Sequence, residues 1–264
     1  MTTDFEQDPS LVRRWGVADN GDVYEVALRP HLLDELRRRW PPVGLDRRTI
    51  PTGPVVARIG LSDAWVVVPD VEAAGDHPPS IAWDLLERSL AVFASLRLIG
   101  RIAVHSAVIG CEGRALLVPA SSGGGKSTLT QAAAAAGAEV LSDEYALIDS
   151  NSGKVTGWNR PVRILKPTGE VERLDIATRS SPLVVGCVAF VSFLPGGGNR
   201  WAQISPGRAI GLLLSHVPCA ESRPDEALDG ALAALRSAQL LEGTRGEAAS
   251  AVGELLTQTA PRHS

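Results

Sequence analysis

Residues Ala120 to Thr128 read "ASSGGGKST", and this stretch decides the fold. A triphosphate needs several backbone N–H groups aimed at its oxygens. Gly123, Gly124 and Gly125 let the chain curl around an anion where side chains would clash. Lys126 is spaced to reach the β and γ phosphates as a point charge, and the Ser127 hydroxyl to ligate a magnesium ion bridging them. With Ala120 in first place, the string matches the phosphate-loop pattern of Gly or Ala, four residues, Gly-Lys, then Ser or Thr. Ser121, Ser122, Gly123, Gly124, Gly125, Lys126, Ser127 and Thr128 form the expected nucleotide-binding segment.

The flanks supply the context the motif requires. "RALLVPA" is an apolar β-type run ending at the loop, and "STLTQAAAAAG" follows it as a strong helix former, with Gly137 as its C-terminal stop. Strand, glycine loop and helix in that order predict an α/β domain whose helix N-terminus faces the anion. Upstream, "IAVHSAVIG" and "RALLVPA" flank the turn "CEGR". A hairpin there carries His105, 15 residues before Ala120, back to the loop, where an imidazole can bond a phosphate oxygen or orient an acid. Downstream, "AEVLSDEYALID" reads as an apolar strand delivering Asp143 and Glu144 at its carboxyl end, 17 and 18 residues beyond Lys126. Open α/β sheets gather their ligands at that edge.

Together "HSAVIG", "ASSGGGKST" and "LSDEY" resemble the kinase domain of the bacterial HPr kinase/phosphorylase family. The likeness is stronger to its shorter relatives, the HPr kinase-related proteins, some of which belong to pathways that modify ribosomally made peptides such as lasso peptides. It covers roughly residues 100 to 168 well and the remainder in outline. It implies a nucleotide site like that of ATP-dependent phosphoenolpyruvate carboxykinase and transfer of the γ-phosphoryl group of ATP to a serine hydroxyl of a peptide or protein. The family's catalytic aspartate falls on Asp143 and its site histidine on His105. Glu144 stands where the HPr kinases have aspartate, and "GWNRPVRILKPT" is similar to the Arg-Pro segment of the shorter relatives.

Phosphoryl transfer spreads negative charge over the moving oxygens, so the site must supply positive charge and hold the acceptor in line. Lys126, the loop backbone and Mg2+ on Ser127, with Glu144 and Asp143 beside it, meet the first need. Asp143 can take the acceptor's proton. Arg160 is the candidate for additional charge, with Arg163 and Lys166 behind it. The alternatives from the same residues are a kinase of small-molecule hydroxyls and a phosphate-loop hydrolase or sensor with water as acceptor.

The rest of the sequence sets bounds. Among 264 residues, 44% are hydrophobic and the formal charge is −4, which supports one large core plus a small one and supplies no basic field for nucleic acid or an anionic membrane. The acidic start "MTTDFEQDPS" is unlike a signal peptide, and the longest apolar run, Leu183 to Leu194, is short for a bilayer. Three widely spaced cysteines suggest neither a disulfide framework nor a zinc site, in keeping with a cytoplasmic setting. Residues 1–79 read as a small α+β module, a candidate for substrate recognition. Residues 80–264 read as the kinase-like domain, and a homo-oligomer is left open. A helix is expected from Pro30 to Trp40. Another is expected from an N-cap at Ser80 to about Leu98, with Ile81, Leu85, Ser89, Val92 and Leu96 as its stripe. "PLVVGCVAFVSFL" reads as a buried strand and "PGGGNRW" as a turn or lid. Helices are expected at 206–216, starting after Ser205, at 225–238 and at 245–256.

Overall fold

The computed structural model describes residues 8–41, 43–61, 66–67, 79–121, 124–158, 160, 162–165, 171–174 and 181–261. The chain is a mixed α/β protein that divides into two compact units, Met1–Ile99 and Gly100–Ser264. Arg163 has a described backbone only, and Lys166, Ser122 and Gly123 lie outside the described residues.

In the first unit, β1 (Val12–Ala18), β2 (Val23–Leu28), α1 (Leu33–Arg39), β3 (Leu45–Arg48), β4 (Val55–Leu61), β5 (Val66–Val67) and α2 (Pro79–Ser95) follow in order. Their five strands form one sheet, β3-β1-β2-β4-β5, in which only β2 and β4 are parallel. The expected helix at Pro30 opens with a short 3-10 turn, Pro30–Leu32, before α1. Arg37 and Arg38 lie on its solvated end, whereas Arg39 turns inward to Glu35 and to Glu87 of α2.

Helix α2 begins one residue before the expected cap, so Ser80 lies inside its first turn. It belongs with the first unit because its side chains meet that sheet. The Tyr24 hydroxyl is 2.6 Å from Ser89 Oγ, and the Tyr24 ring stands edge-on to Phe93 at 4.8 Å. The unit boundary therefore falls after Ile99, later than the joint expected at residue 79. The buried face is Ala82, Trp83, Leu86, Leu90, Phe93 and Ala94, while Ile81 and Val92 are exposed. Two apolar stripes of helical spacing overlap along this helix. The aromatic stripe wins because Trp83 and Phe93 bury more area than Ile81 and Val92 can.

The second unit comprises β6 (Arg101–Cys111), β7 (Arg114–Pro119), α3 (Lys126–Ala135), β8 (Glu139–Ser142), β9 (Tyr145–Asp149), β10 (Val155–Gly157), β11 (Val162–Leu165), β12 (Val171–Leu174) and β13 (Val184–Phe193). There follow β14 (Arg200–Gln203), α4 (Pro206–Leu214), α5 (Pro224–Leu235), β15 (Gln239–Arg245) and α6 (Ala248–Thr259). Eight strands make one mixed sheet, β10-β9-β6-β7-β13-β15-β14, with β8 also on β6; β11 and β12 form a separate ribbon. The β6–β7 hairpin turns at Glu112 and Gly113, both at positive φ, as a tight two-residue connection demands. Strand β7 is parallel to β13, and β13 to β15. Strand β6 is antiparallel to both β7 and β8. The carboxyl ends of β7, β8, β13 and β15 consequently share one edge.

Helices cover both faces of this sheet. Leu129 and Ala133 of α3 and Val252 and Leu255 of α6 pack with Ala107, Ile109, Leu116, Val118, Cys187 and Ala189. On the opposite face Gly230 of α5 lies so close to Ile102 that a Cβ there would meet its Cδ1 at 2.7 Å. Alternation along each strand serves the two layers at once.

Two expectations are corrected in this unit and one is extended. The apolar strand of the 139–149 run does end at Asp143 and Glu144, as β8, and a second strand, β9, starts at Tyr145. Residues 239–245 form β15, and the last helix starts at Ala248 instead of 245. A further strand, β14, follows the "PGGGN" turn. Elsewhere Ser205 does cap α4, its hydroxyl accepting from Arg208 N at 3.3 Å. Cys111, Cys187 and Cys219 are free thiols. Among the described residues no helix is long and apolar enough to cross a membrane.

Candidate functional site

The segment 120–128 leaves the end of β7 and enters α3. Ala120 N donates to His105 O at 3.3 Å, and Gly124 N to Ser121 O at 3.1 Å, closing the two ends of the loop. Gly125 is the N-cap of α3 with φ of 81°, a left-handed conformation that costs other residues about 1–2 kcal/mol. As glycine, this N-cap residue offers no capping side chain, and the first N–H groups of a helix attract an anion. Ser121 and Thr128 are exposed at the loop's start and on the helix's first turn.

Lys126 is buried at 7% exposure. Its Nζ donates to Ala120 O at 2.7 Å and Ser121 O at 3.0 Å, folding the ammonium back over the loop. Burial pulls its pKa below the ordinary lysine value, against the opposing fields of Asp143 and Glu144. The next residue, Ser127, donates its hydroxyl to Asp143 Oδ2 at 2.9 Å. This bond joins the first turn of α3 to the break between β8 and β9. Burial raises the Asp143 carboxyl above its ordinary value, while the Ser127 bond and the Arg160 and Lys126 charges work the other way.

The break itself is built by Ser142, whose buried Oγ accepts from Glu144 N and Tyr145 N, each at 3.1 Å. Such a hydroxyl takes over backbone donors that a continuous ladder would have paired. Ser106 N donates to Glu144 O at 3.1 Å and fixes the kink to β6. Arg160, at 13% side-chain exposure, pairs through Nη1 with Glu144 Oε2 at 3.0 Å. It therefore joins the site through one of the site's own carboxylates.

His105 stands on β6 with its ring 5.7 Å from that of Tyr145, which in turn lies 5.2 Å from Trp158. Its backbone N–H donates to His216 O at 2.8 Å. His216, which follows α4, carries no motif, yet it belongs to this neighbourhood. Burial, reinforced by the Lys126 ammonium, holds its imidazole below the ordinary histidine value. Arg245 is the second residue that sequence reading missed. It ends β15 on the same sheet edge and is 4% exposed. A Cβ built on Gly125 would overlap its Nη2. The adjacent leucines in "QLLEGTR" are its one signal, and a two-leucine run is short for a strand to be told from a helix start.

His105, Lys126, Ser127, Asp143, Glu144 and Arg160 are thus brought together around one edge. Asp143 and Ser127 can share a divalent cation, being a hydroxyl and a carboxylate already in contact. Among the described residues no three His, Cys, Asp or Glu side chains form a cation cage. No protein-family model matches the chain, and no curated protein is significantly similar to it.

Proposed function

We propose that the chain is an ATP-dependent kinase of the HPr kinase-like type, transferring the γ-phosphoryl group to a serine or similar hydroxyl of a peptide or protein. The observation that carries this reading is the Ser127–Asp143 bond at 2.9 Å. It sets a carboxylate of raised pKa against the residue adjoining Lys126.

In the proposed reaction, the acceptor oxygen attacks the γ-phosphorus and the bond from that phosphorus to the β–γ bridging oxygen breaks. ADP departs, and the hydroxyl proton passes to Asp143. A carboxylate whose pKa burial raises above its ordinary value is the better base for this proton. Lys126 and the start of α3 place positive charge at the phosphates. Ser127, Asp143 and Glu144 fit a magnesium ion, which when bound would neutralise phosphate charge. Arg160 steadies Glu144 at 3.0 Å. His105 and the His216 backbone shape the wall beside the loop. Recognition of the acceptor by the first unit is part of the same proposal.

The test is incubation with ATP labelled at the γ position, magnesium and a pool of serine-containing peptides, read by mass spectrometry. Phosphate gain by a peptide is expected. Asp143→Asn should abolish transfer and spare most nucleotide affinity, whereas Lys126→Ala should weaken both. Release of inorganic phosphate that no peptide alters would replace the kinase with a hydrolase.

A further inference from the structure

Arg245 has the environment of a residue waiting for an anion. Its side chain is buried, its Nη1 donates to the adjacent Gly246 O at 3.0 Å, and its Nε has no hydrogen-bond partner. No carboxylate among the described residues forms an ion pair with it; Glu247 acts only through its longer-range field. Burial lowers its pKa, which reflects a charge stripped of water without a counterion. Such a group calls for an explanation beyond packing.

Its aim is fixed from three sides. The Phe193 ring lies 4.7 Å from the guanidinium carbon. Leu194 N donates to Arg245 O at 2.8 Å, and Asn199 Oδ1 accepts from Gly246 N at 3.1 Å, so the turn after β13 clamps the end of β15. The remaining side faces Gly125, where the missing Cβ leaves room for Nη2. That is the N-terminus of the ten-residue α3.

We propose that Arg245 is a polyphosphate-binding residue, its guanidinium completing the anion site at the start of α3 together with Lys126 and the first N–H groups of that helix. The assignment rests on the nucleotide-binding reading of the loop. A planar fork anchored at one nitrogen can offer its remaining N–H groups to phosphate oxygens. Gly125 is then glycine for two reasons, its left-handed φ and the passage it leaves for this side chain.

Calorimetric titration of the full chain with magnesium pyrophosphate, a non-hydrolysable ATP analogue and AMP separates the outcomes. Arg245→Gln should weaken pyrophosphate and the analogue by about ten- to hundredfold, the range of a charge-assisted hydrogen bond, and leave AMP unchanged relative to wild type. Arg245→Lys should recover part of the loss and serves alone if the glutamine variant does not fold. Wild-type affinity for pyrophosphate in either folded variant overturns the assignment. An equal loss for all three ligands also overturns it, because that pattern belongs to a purely structural arginine. If the wild type itself binds no polyphosphate, the reading of the loop falls, and Arg245 with it.

Discussion

Replacing Ser127 by alanine removes the one side-chain donor that Asp143 has among the described residues, and its consequence depends on pH. The bond is 2.9 Å long and ends on a carboxylate; hydrogen bonds to charged groups contribute about 1.5–3 kcal/mol. Since Ser127 is half-buried, the lower part of that range applies, about 1.5–2 kcal/mol. For a domain the size of Gly100–Ser264, this lowers Tm by about 3–8 °C. The sign with pH follows from proton linkage. Burial puts the folded pKa of Asp143 above its ordinary 3.8, so the folded state holds the proton more tightly and stability falls as pH rises through that window. The Ser127 bond opposes this shift, so its loss raises the folded pKa further and makes the fall steeper. Thermal unfolding followed by circular dichroism should show the full deficit at about pH 8 and little of it at about pH 4, where the carboxyl takes up its proton. In an Asp143→Asn background the same substitution should cost less, since a neutral acceptor holds the bond less strongly. An equal Tm for Ser127→Ala and wild type at both pH values would mean that the α3–β8 link is not made, and the kinase reading would lose its main support.

Two further outcomes check the fold and the thiols. Leu86→Ala on the buried face of α2 should destabilise the first unit by about 2–5 kcal/mol, whereas Ile81→Ala, on its exposed face, should stay within about 0.5 kcal/mol; chemical denaturation of the two variants decides between the stripes. Burial pushes the Cys187 thiol up to about 12, and Cys219 is buried as well. Alkylation of the native chain at neutral pH should therefore mark Cys111 first, with the other two reacting only on unfolding, as peptide mapping would reveal.

Local sequence was enough wherever a motif sets its own geometry. A left-handed glycine at residue 125 and a strong helix former after it define a strand–loop–helix unit without outside help. The hairpin turn at Glu112 and Gly113 sets the return of His105, since Ala120 N and His105 O meet across the two strands. Where two patterns of similar period compete, sequence does not choose. The stripes of α2 are displaced by one residue, and contact with Tyr24 selects between them. The "LSDEY" run announces the end of a strand at the acidic pair, but not that the Ser142 hydroxyl takes up the Glu144 and Tyr145 N–H groups there.

The sequence by itself determined the glycine-rich loop between strand and helix, the acidic pair at its set distance and the α/β class, because glycine conformation, helix propensity and apolar runs act over a few neighbours. Tertiary structure alone decided that Arg160 meets Glu144, that His216 reaches the Lys126 neighbourhood and that Arg245 arrives behind Gly125. Those residues lie 16, 90 and 120 positions from their partners. Arg245 arrives there because the carboxyl ends of β7 and β15, both parallel to β13, share one edge of the mixed sheet.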